Sequence, residues 1–318
     1  MKALATLLLP AVLGMLASTP AAAQYPDRPV RLVVPFPAGG PTDGVARSVA
    51  QAMSKSMGQP IVVENKPGAD GAIAAQAVVG APADGYTLLF ATSSVMALPY
   101  VAKPAPFDAA DLAPVASVGR FAFGMFVNPA VPSQSMQAFI AHARANPGKL
   151  NFGSANVAEQ MASAQFIKAT GTDMVRISYK GSAQAMPDLI AGRIQVYFSP
   201  VSAGLQHVRE GKLRMLAVLV PQRLASAPEV PTMAESGVDG VSVHSYQMFV
   251  APGRTPRDIV DRLAGEVNAA LKDPEVRAQL ESRALFIEGT KPDALSAMVR
   301  AAGQDWVGYM SAAGAAAQ

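Results

Sequence analysis

Short buried strands that alternate with helical segments constrain the fold of this chain more than any other feature. Residues 30–34 form an apolar, β-branched run that predicts a strand, and residues 43–57 carry apolar side chains every four positions, as a helix does. Residues 61–63 and 87–91 predict two further strands, with a small-residue helix at 72–79 between them. This β-α-β-α-β order requires helical crossovers and therefore predicts a parallel sheet.

The alternation resumes in the second half of the chain. Helices are predicted at 135–144, 159–170, 183–191 and 201–210, and strands at 150–152, 174–178, 194–198 and 213–220. The 318 residues exceed what one hydrophobic core usually serves, so two domains are expected. No low-complexity linker separates them. We therefore expect the chain to cross between domains as extended strands, at 115–127 and 241–251, which together would make a hinge.

The N-terminal segment predicts a secretory signal. Lys2 supplies the positive charge, residues 3–17 are largely apolar, and the alanines at 21–23 fit a cleavage site that would leave Gln24 first. The alternative is a membrane-spanning helix, which needs about 20 apolar residues. This run is shorter and contains Pro10. The segment therefore predicts export to the periplasm.

Composition excludes several classes of function. The chain has no cysteine, which excludes disulfides, a thiolate nucleophile and a lipid-anchored cysteine. Its basic residues are scattered rather than clustered, which argues against nucleic acid as a partner. His142, His207 and His244 lack metal-ligand spacing, and no serine lies in a Gly-x-Ser-x-Gly turn. We expect no metal, no cofactor and no catalysis.

The loop at 36–43 is the strongest candidate for a binding site. It joins the first strand to the first helix, and Gly39 and Gly40 allow backbone N–H groups to approach a ligand closely. The helix that follows adds unpaired N–H groups and a partial positive charge, so the loop predicts an anion site. Asp43 is either an acceptor that shapes the loop or an ordinary first-turn acid.

Two other loops have similar potential. The third strand ends at Thr92-Ser93-Ser94, where the hydroxyls either donate to a ligand or cap a helix. Residues 153–156, Gly-Ser-Ala-Asn, also follow a strand and precede a helix. This second loop mirrors the first and would supply donors from the opposite side of a cleft.

Eight segments in chain order carry a resemblance to a known family: 25–30, 34–43, 62–69, 83–89, 147–154, 179–189, 230–237 and 251–256. The second of these, Val-Pro-Phe-Pro-Ala-Gly-Gly-Pro-Thr-Asp, includes the glycine loop. Together they resemble the Bug family, the substrate-binding components of tripartite tricarboxylate transporters. The resemblance covers essentially the whole chain after the predicted signal.

The resemblance implies an α/β, two-lobed periplasmic binding protein of the type II, Venus-flytrap class. It implies a mostly parallel sheet in each lobe and paired crossover strands as the hinge. The expected division is 1–23 for the signal, 24–120 plus 247–318 for lobe 1, and 121–246 for lobe 2. Such a protein, expected to be a monomer, would capture a small carboxylate-bearing molecule and deliver it to integral-membrane permease subunits.

Ten ligand-binding residues are predicted. In the family, the loop matching residues 36–43 holds a carboxylate, partly through ordered waters, and the positions matching Ser93, Ser154 and Asp188 line the same cleft. The predicted set is Phe36, Ala38, Gly39, Gly40, Thr42, Asp43, Ser93, Ser154, Asn156 and Asp188.

The chain departs from the family pattern at three places. Asp70 stands where glycine is usual, Tyr246 stands where tryptophan is common, and residues 156–159 replace a glycine-rich loop. Our hypothesis is that Glu159 repels a second carboxylate, because like charges about 5 Å apart at an effective dielectric near 20 cost roughly 3 kcal/mol. A monocarboxylate, or a zwitterion with its cationic end toward Glu159, would fit better. The alternative is that Glu159 points to solvent.

Two other functions remain open from the sequence. A sensor would present its closed form to a membrane receptor instead of a permease, and the sequence does not separate the two. A periplasmic enzyme could use Asp43 and Asp188 as a carboxylate pair, although nothing in the sequence supplies a nucleophile.

Overall fold

The computed structural model describes residues 25–312, apart from residue 244 and the side chains of 304, 305 and 307–312. The predicted signal at 1–23, its cleavage point before Gln24 and the side chain of His244 therefore lie outside the described residues. Among the helices that are described, none is both long enough and apolar enough to span a bilayer.

Strands and helices follow the alternation that the sequence predicts. The strands are β1 Val30–Val34, β2 Ile61–Asn65, β3 Thr87–Thr92, β4 Leu112–Phe121, β5 Phe123–Val127, β6 Leu150–Ser154, β7 Met174–Ser178, β8 Val196–Pro200, β9 Arg214–Val218, β10 Ser245–Pro252 and β11 Leu285–Ile287. The helices are α1 Pro41–Met57, α2 Ala72–Val79, α3 Ser93–Val101, α4 Met136–Ala145, α5 Val157–Thr170, α6 Ser182–Ile190, α7 Val201–Arg209, α8 Arg257–Ala270, α9 Pro274–Ser282 and α10 Pro292–Ala312. Helix α3 is the main addition to the prediction.

The strands form two sheets, and we call each sheet with its packed helices a lobe. The lobe 1 sheet has the order β11-β4-β10-β3-β1-β2, and the lobe 2 sheet has the order β7-β6-β8-β5-β9. Strands up to Phe121 and from Ser245 onward belong to lobe 1, whereas those from Phe123 to Val218 belong to lobe 2. The predicted division at 120/121 and 246/247 lies within two residues of these strand ends, and independent folding of each part stays a prediction.

Both sheets are mixed, which corrects the expectation that each is mostly parallel. In lobe 1, β1 pairs in parallel with β2 and β3, but β10 runs antiparallel to β3 and β4. In lobe 2, β6 pairs in parallel with β7 and β8, but β5 runs antiparallel to β8 and β9. Strands β10 and β5 are the ones that enter from the other lobe, and the edge strand β11 is also antiparallel to β4. Neither β10 nor β5 has a crossover helix to set its direction, and this explains the difference.

The two chain crossings lie side by side. Strand β4 ends at Phe121, and β5 begins two residues later at Phe123, so the chain changes sheet at Ala122. The return crossing enters lobe 1 at Ser245, which pairs with Phe121. The paired crossover strands expected from the sequence are therefore present, and the outward crossing consists of Ala122 alone.

The core fixes these crossing strands firmly in lobe 1. Strand β3 is buried along its whole length, and Phe90 on it contacts Phe249 of β10 edge to face, with ring centroids 5.1 Å apart. In lobe 2, Phe166 of α5 packs against Phe139 and Phe198, on one face of the sheet. Both lobes are thus closely packed near the crossing, and the chain passes from one sheet to the other at Ala122.

Candidate ligand-binding site

A cleft lies between the lobes, next to the crossing strands. Lobe 1 contributes the loop after β1, the start of α1 and the end of β3, and lobe 2 contributes the starts of α5 and α6. The lining residues are Phe36, Pro37, Gly40, Pro41, Thr42, Thr92, Ser94, Phe121, Phe123, Asn156, Glu159, Ser182, Ala183, Pro200 and Ser245. Lysine, arginine and histidine are absent from this lining.

The N-terminus of α1 opens into the cleft without a capping side chain. Gly40 is the N-cap residue, with extended dihedral angles, and Pro41 occupies the first helical position. Proline suits this position because its missing N–H would have no partner within the helix. The N–H groups of Thr42 and Asp43 likewise have no partner within the helix, since the first turn leaves them unpaired. Two such donors and the positive end of the helix dipole are chemically suited to an anion.

Asp43 shapes the loop instead of capping its own helix. Its Oδ2 accepts the Gly39 N–H at 3.0 Å, and its Oδ1 accepts Asn65 Nδ2 at 2.9 Å. Arg47 Nε donates to both carboxylate oxygens at 3.0 Å. Burial acts to raise the pKa of Asp43, but these hydrogen bonds hold it below its usual value. Of the two roles open from the sequence, the structure favours the acceptor that shapes the loop.

The amides of the two glycines are therefore not the main donors to the cleft. Gly39 N–H is occupied by Asp43, and Gly40 N–H makes a long 3.4 Å contact with the Pro37 carbonyl oxygen. Gly39 is in the left-handed region, with φ of 79°, and it turns the chain so that α1 can start. The sequence predicted that the glycine amides bind the ligand. The N–H groups available to the cleft are instead those of the first turn of α1.

Four other helices begin near the cleft, and they differ in capping. Thr92 caps α3 by accepting from Val95 N, and Asn156 caps α5 by accepting from Glu159 N. Of the two roles expected for the hydroxyls at the end of the third strand, Thr92 therefore has the capping role. Helix α6 begins after Gly181 and helix α7 after Pro200, and neither has a side-chain cap. Of these two, α6 begins beside Pro37 of the loop that precedes α1.

Glu159 lines the cleft and is fully buried, so the alternative that it points to solvent is wrong. Its Oε2 accepts the Ala155 N–H at 2.6 Å and the Tyr197 hydroxyl at 2.8 Å. Its Oε1 accepts the Ser182 hydroxyl at 3.1 Å, and Ser199 donates in turn to Ser182 at 3.3 Å. A single carboxyl group is thus held rigidly by three elements of lobe 2.

Burial raises the pKa of Glu159 to about 7, and the hydrogen bonds from Ala155, Tyr197 and Ser182 limit that rise. The pKa of Tyr197 lies far above its usual value, because the hydroxyl is buried and faces Glu159. Tyr197 therefore keeps its proton and acts as a donor. Glu159 is the titratable group of the described cleft lining that changes charge near neutral pH.

Several predicted residues do not reach the cleft. Asp188 is paired with Tyr179 Oη at 2.8 Å and Arg193 at 2.6 Å, and it does not line the cleft. Ser154 is fully buried, with its hydroxyl 3.5 Å from the Asn156 carbonyl oxygen. Ser93 Oγ accepts the Tyr246 N–H at 3.2 Å and lies on the far side of α3. Ala38 is exposed beside the loop. Their roles in binding stay predictions.

The residues that sequence reasoning missed come from the crossing strands and from lobe 2. Phe121, Phe123 and Ser245 form the floor of the cleft, and Ser182 and Tyr197 complete the Glu159 network. The phenylalanines alternate along the predicted crossing strand, which was the available signal. The sequence around Tyr197 gives no sign of its role, because Glu159, to which it donates, lies 38 positions earlier in the chain.

Comparison with known proteins identifies the family. Residues 45–299 match the family described as the tripartite tricarboxylate transporter family receptor. The chain belongs to this family. It is 35% identical over 296 residues to protein BugT of Bordetella pertussis, covering 92% of this chain and 91% of BugT.

Solved structures of family relatives superpose closely. The periplasmic binding protein BugD is 31% identical, with a TM-score of 0.88 over 92% of this chain and 99% of BugD. R. palustris Rpa4515, in a structure with adipate, is 32% identical, with a TM-score of 0.88 over 91% of this chain and 98% of the other. The two-lobed α/β architecture predicted from the sequence is thus confirmed. The family and these relatives are solute-binding proteins.

Within the described residues, no group of three or more histidine, cysteine, aspartate or glutamate side chains is arranged to hold a metal ion. The enzyme alternative also lacks its pair of acids. Asp43 is held in the α1 loop by Arg47 and Asn65, and Asp188 lies outside the cleft.

Closure of the lobes depends on the absence of a side chain at Gly181. A Cβ built there would lie 2.6 Å from Pro37 Cδ of lobe 1, although φ is 176° and any residue adopts that backbone. We expect Gly181→Ala to weaken ligand binding at least tenfold, since roughly 1.4 kcal/mol of closed-state strain gives that factor, with little change in the stability of the empty protein. Calorimetric titration and thermal unfolding measure the two quantities.

Gly265→Ala is the matched control, because a Cβ at Gly265 on α8 meets nothing within 4 Å. It should leave ligand affinity unchanged. Equal affinity of Gly181→Ala and the wild type would show that Pro37 and Gly181 do not limit closure.

The raised pKa of Glu159 should appear in the pH dependence of stability. Folding favours the protonated form, so this stabilisation is complete below the unfolded-state pKa near 4.5 and is lost as pH rises through about 7. We expect the free energy of unfolding of the wild type, relative to Glu159→Gln, to fall by up to roughly 3 kcal/mol between pH 4.5 and 8. Urea unfolding of both proteins across this range measures the difference. Parallel curves for the two proteins would contradict the assignment.

Proposed function

We propose that this protein is a periplasmic binding protein that captures a small carboxylate-bearing molecule between its lobes and delivers it to a tripartite tricarboxylate-type permease. The observation that carries the proposal is the uncapped start of α1, which opens into the interlobe cleft beside Gly40 and Thr42. The adipate bound in R. palustris Rpa4515 supports a carboxylate as the ligand.

The binding chemistry needs no basic side chain. The first-turn N–H groups of Thr42 and Asp43 can donate to a carboxylate, and the Thr42 hydroxyl lies on the same wall of the cleft. Hydrogen bonds to a charged group contribute roughly 1.5–3 kcal/mol each, and a helix terminus adds up to about 2 in a partly buried site. Three or four such contacts can support micromolar affinity, near −8 kcal/mol.

Lobe closure strengthens each of these contacts. Phe36, Phe121 and Phe123 line the cleft and displace water around the bound group. A lower local dielectric then increases the attraction between the carboxylate and the helix terminus. Release to a permease would follow from reopening, which exposes the same contacts to water.

A thermal-shift screen tests the proposal directly. The panel contains mono-, di- and tricarboxylates, amino acids and aromatic acids, each paired with its amide. A ligand at about 100 times its dissociation constant should stabilise the protein by about 2.7 kcal/mol. The corresponding amide should not. Stabilisation by none of the acids, or equally by acids and amides, would end the proposal.

An acidic side chain at the N-cap of α1 should occupy the first-turn N–H groups and prevent a ligand carboxylate from binding there. Gly40 has N-cap dihedral angles, φ −76° and ψ 169°, so the carboxylate in Gly40→Asp can accept the first-turn N–H groups itself. We expect this variant to be more stable by a few tenths of a kcal/mol and to lose carboxylate binding at least a hundredfold. Chemical unfolding and calorimetry measure both effects.

Gly40→Ala serves as the comparison, because it adds the same Cβ, 3.3 Å from the Pro37 carbonyl oxygen, without an acceptor. Its loss of affinity should be much smaller than that of Gly40→Asp. Retention of tight carboxylate binding by Gly40→Asp would place the anion elsewhere in the cleft.

A further inference from the structure

The lobe 2 wall of the cleft carries a carboxyl group whose hydrogen-bond partners in the described residues are all uncharged. On Glu159, Oε2 accepts from Ala155 N and Tyr197 Oη, and Oε1 accepts from Ser182 Oγ. The side chain of Asn156, whose oxygen caps α5, also hydrogen-bonds to Glu159. Glu159 is thus a buried acid that lines the cleft without a basic side chain beside it in the lining.

We infer that Glu159 is a specificity-determining residue, which accepts a hydrogen bond from an ammonium or other N–H donor at the end of the ligand remote from its carboxylate. This inference rests on the proposed function, in which the carboxylate itself lies at the start of α1. The cleft lining contains no lysine, arginine or histidine that could pair with ionised Glu159, so a ligand cation would have no competitor among these lining residues.

The alternative ligand is a dicarboxylate whose second acid group lies at the open start of α6. Two contacts oppose it. The hydroxyl of Ser182, the first residue of α6, already donates to Glu159 Oε1 at 3.1 Å. A carboxylate placed there would also face the buried acid at close range, in a region where water screens charge poorly. Glu159 thus offsets the positive end of α6 and has no basic partner in the cleft lining. The first-turn acid of α1, Asp43, is instead paired with Arg47.

The apolar part of the cleft lining restricts the chemistry of the ligand between its two polar ends. Phe36 of lobe 1 and Phe121 and Phe123 of the crossing strands are apolar walls between the α1 start and Glu159. A ligand that spans both polar ends therefore has an apolar spacer. An ω-amino carboxylate, or an aromatic acid bearing an amino group, has this arrangement of acid, apolar body and donor.

Length-matched ligand pairs test the inference. Succinate, glutarate and adipate are compared with 4-aminobutanoate, 5-aminopentanoate and 6-aminohexanoate, and hexanoate is the monocarboxylate reference. Calorimetric titrations at pH 8 keep Glu159 ionised and the amines protonated. For at least one pair, the wild type should bind the amino acid about tenfold or more tightly than the diacid, as one charged hydrogen bond implies.

Glu159→Gln should reverse this preference while keeping the network. The amide oxygen can accept from Ala155 and Tyr197, and the amide nitrogen can donate to Ser182, whose hydroxyl is able to rotate. Its second N–H would then face the ligand as a donor. We expect loss of amino-acid binding by about tenfold or more and a gain for the diacid of the same length. Glu210→Gln, an exposed acid of lobe 2 paired with Lys212, controls for the change in net charge and should keep the wild-type preference.

Each outcome decides one question. Equal or tighter binding of diacids by the wild type, unchanged in Glu159→Gln, would overturn the role of Glu159 and leave the proposed function intact. Binding of hexanoate as tightly as 6-aminohexanoate would also overturn it, because the amino group would then contribute nothing. Failure of every acid to bind, in these series and in the wider panel, would overturn the proposed function and this inference with it.

Discussion

The open start of α1 is the feature on which the rest of the cleft depends. Serine, threonine, aspartate and asparagine are the usual N-cap residues, because their side chains accept from the first N–H groups of a helix, and glycine in their place costs a few tenths of a kcal/mol. Here the N-cap is Gly40, and the nearby acid Asp43 is held in the other direction by Gly39, Asn65 and Arg47. The chain thus keeps two donors free of its own side chains, on the wall of a cleft that residues of both lobes line.

The sequence predicted this loop because its determinants are local. A buried strand, two glycines, a proline at the first helical position and an apolar repeat all lie within 30–57, and each has a direct structural meaning. The detailed donor assignment was less accurate. The side chain of Asp43 takes the Gly39 amide, and only the three-dimensional position of Asn65 and Arg47 shows why it turns that way.

The parts that could not be predicted depend on contacts between distant segments. Phe121 and Ser245 meet because strand β4 pairs with strand β10. Strands β10 and β5 run antiparallel to their neighbours, and the β-α-β pattern of the sequence did not reveal this direction. Likewise, Glu159 was identified as a departure from the family, but its burial depends on Tyr197 and Ser182, from other elements. Asp188 accepts hydrogen bonds from Arg193 and Tyr179, and its role in binding stays a prediction.

The division of polar groups between the lobes also bears on how binding drives closure. A ligand shifts an equilibrium between open and closed forms only by the difference in its affinity for them. The donors of α1 belong to lobe 1 alone, so a ligand that contacts nothing else binds the open form almost as well. Glu159 belongs to lobe 2, and Pro37 meets Gly181 only when the lobes are together. A ligand that reaches both walls gains its contact with Glu159 only in the closed form. Such a ligand therefore shifts the equilibrium toward closure about the hinge at Ala122.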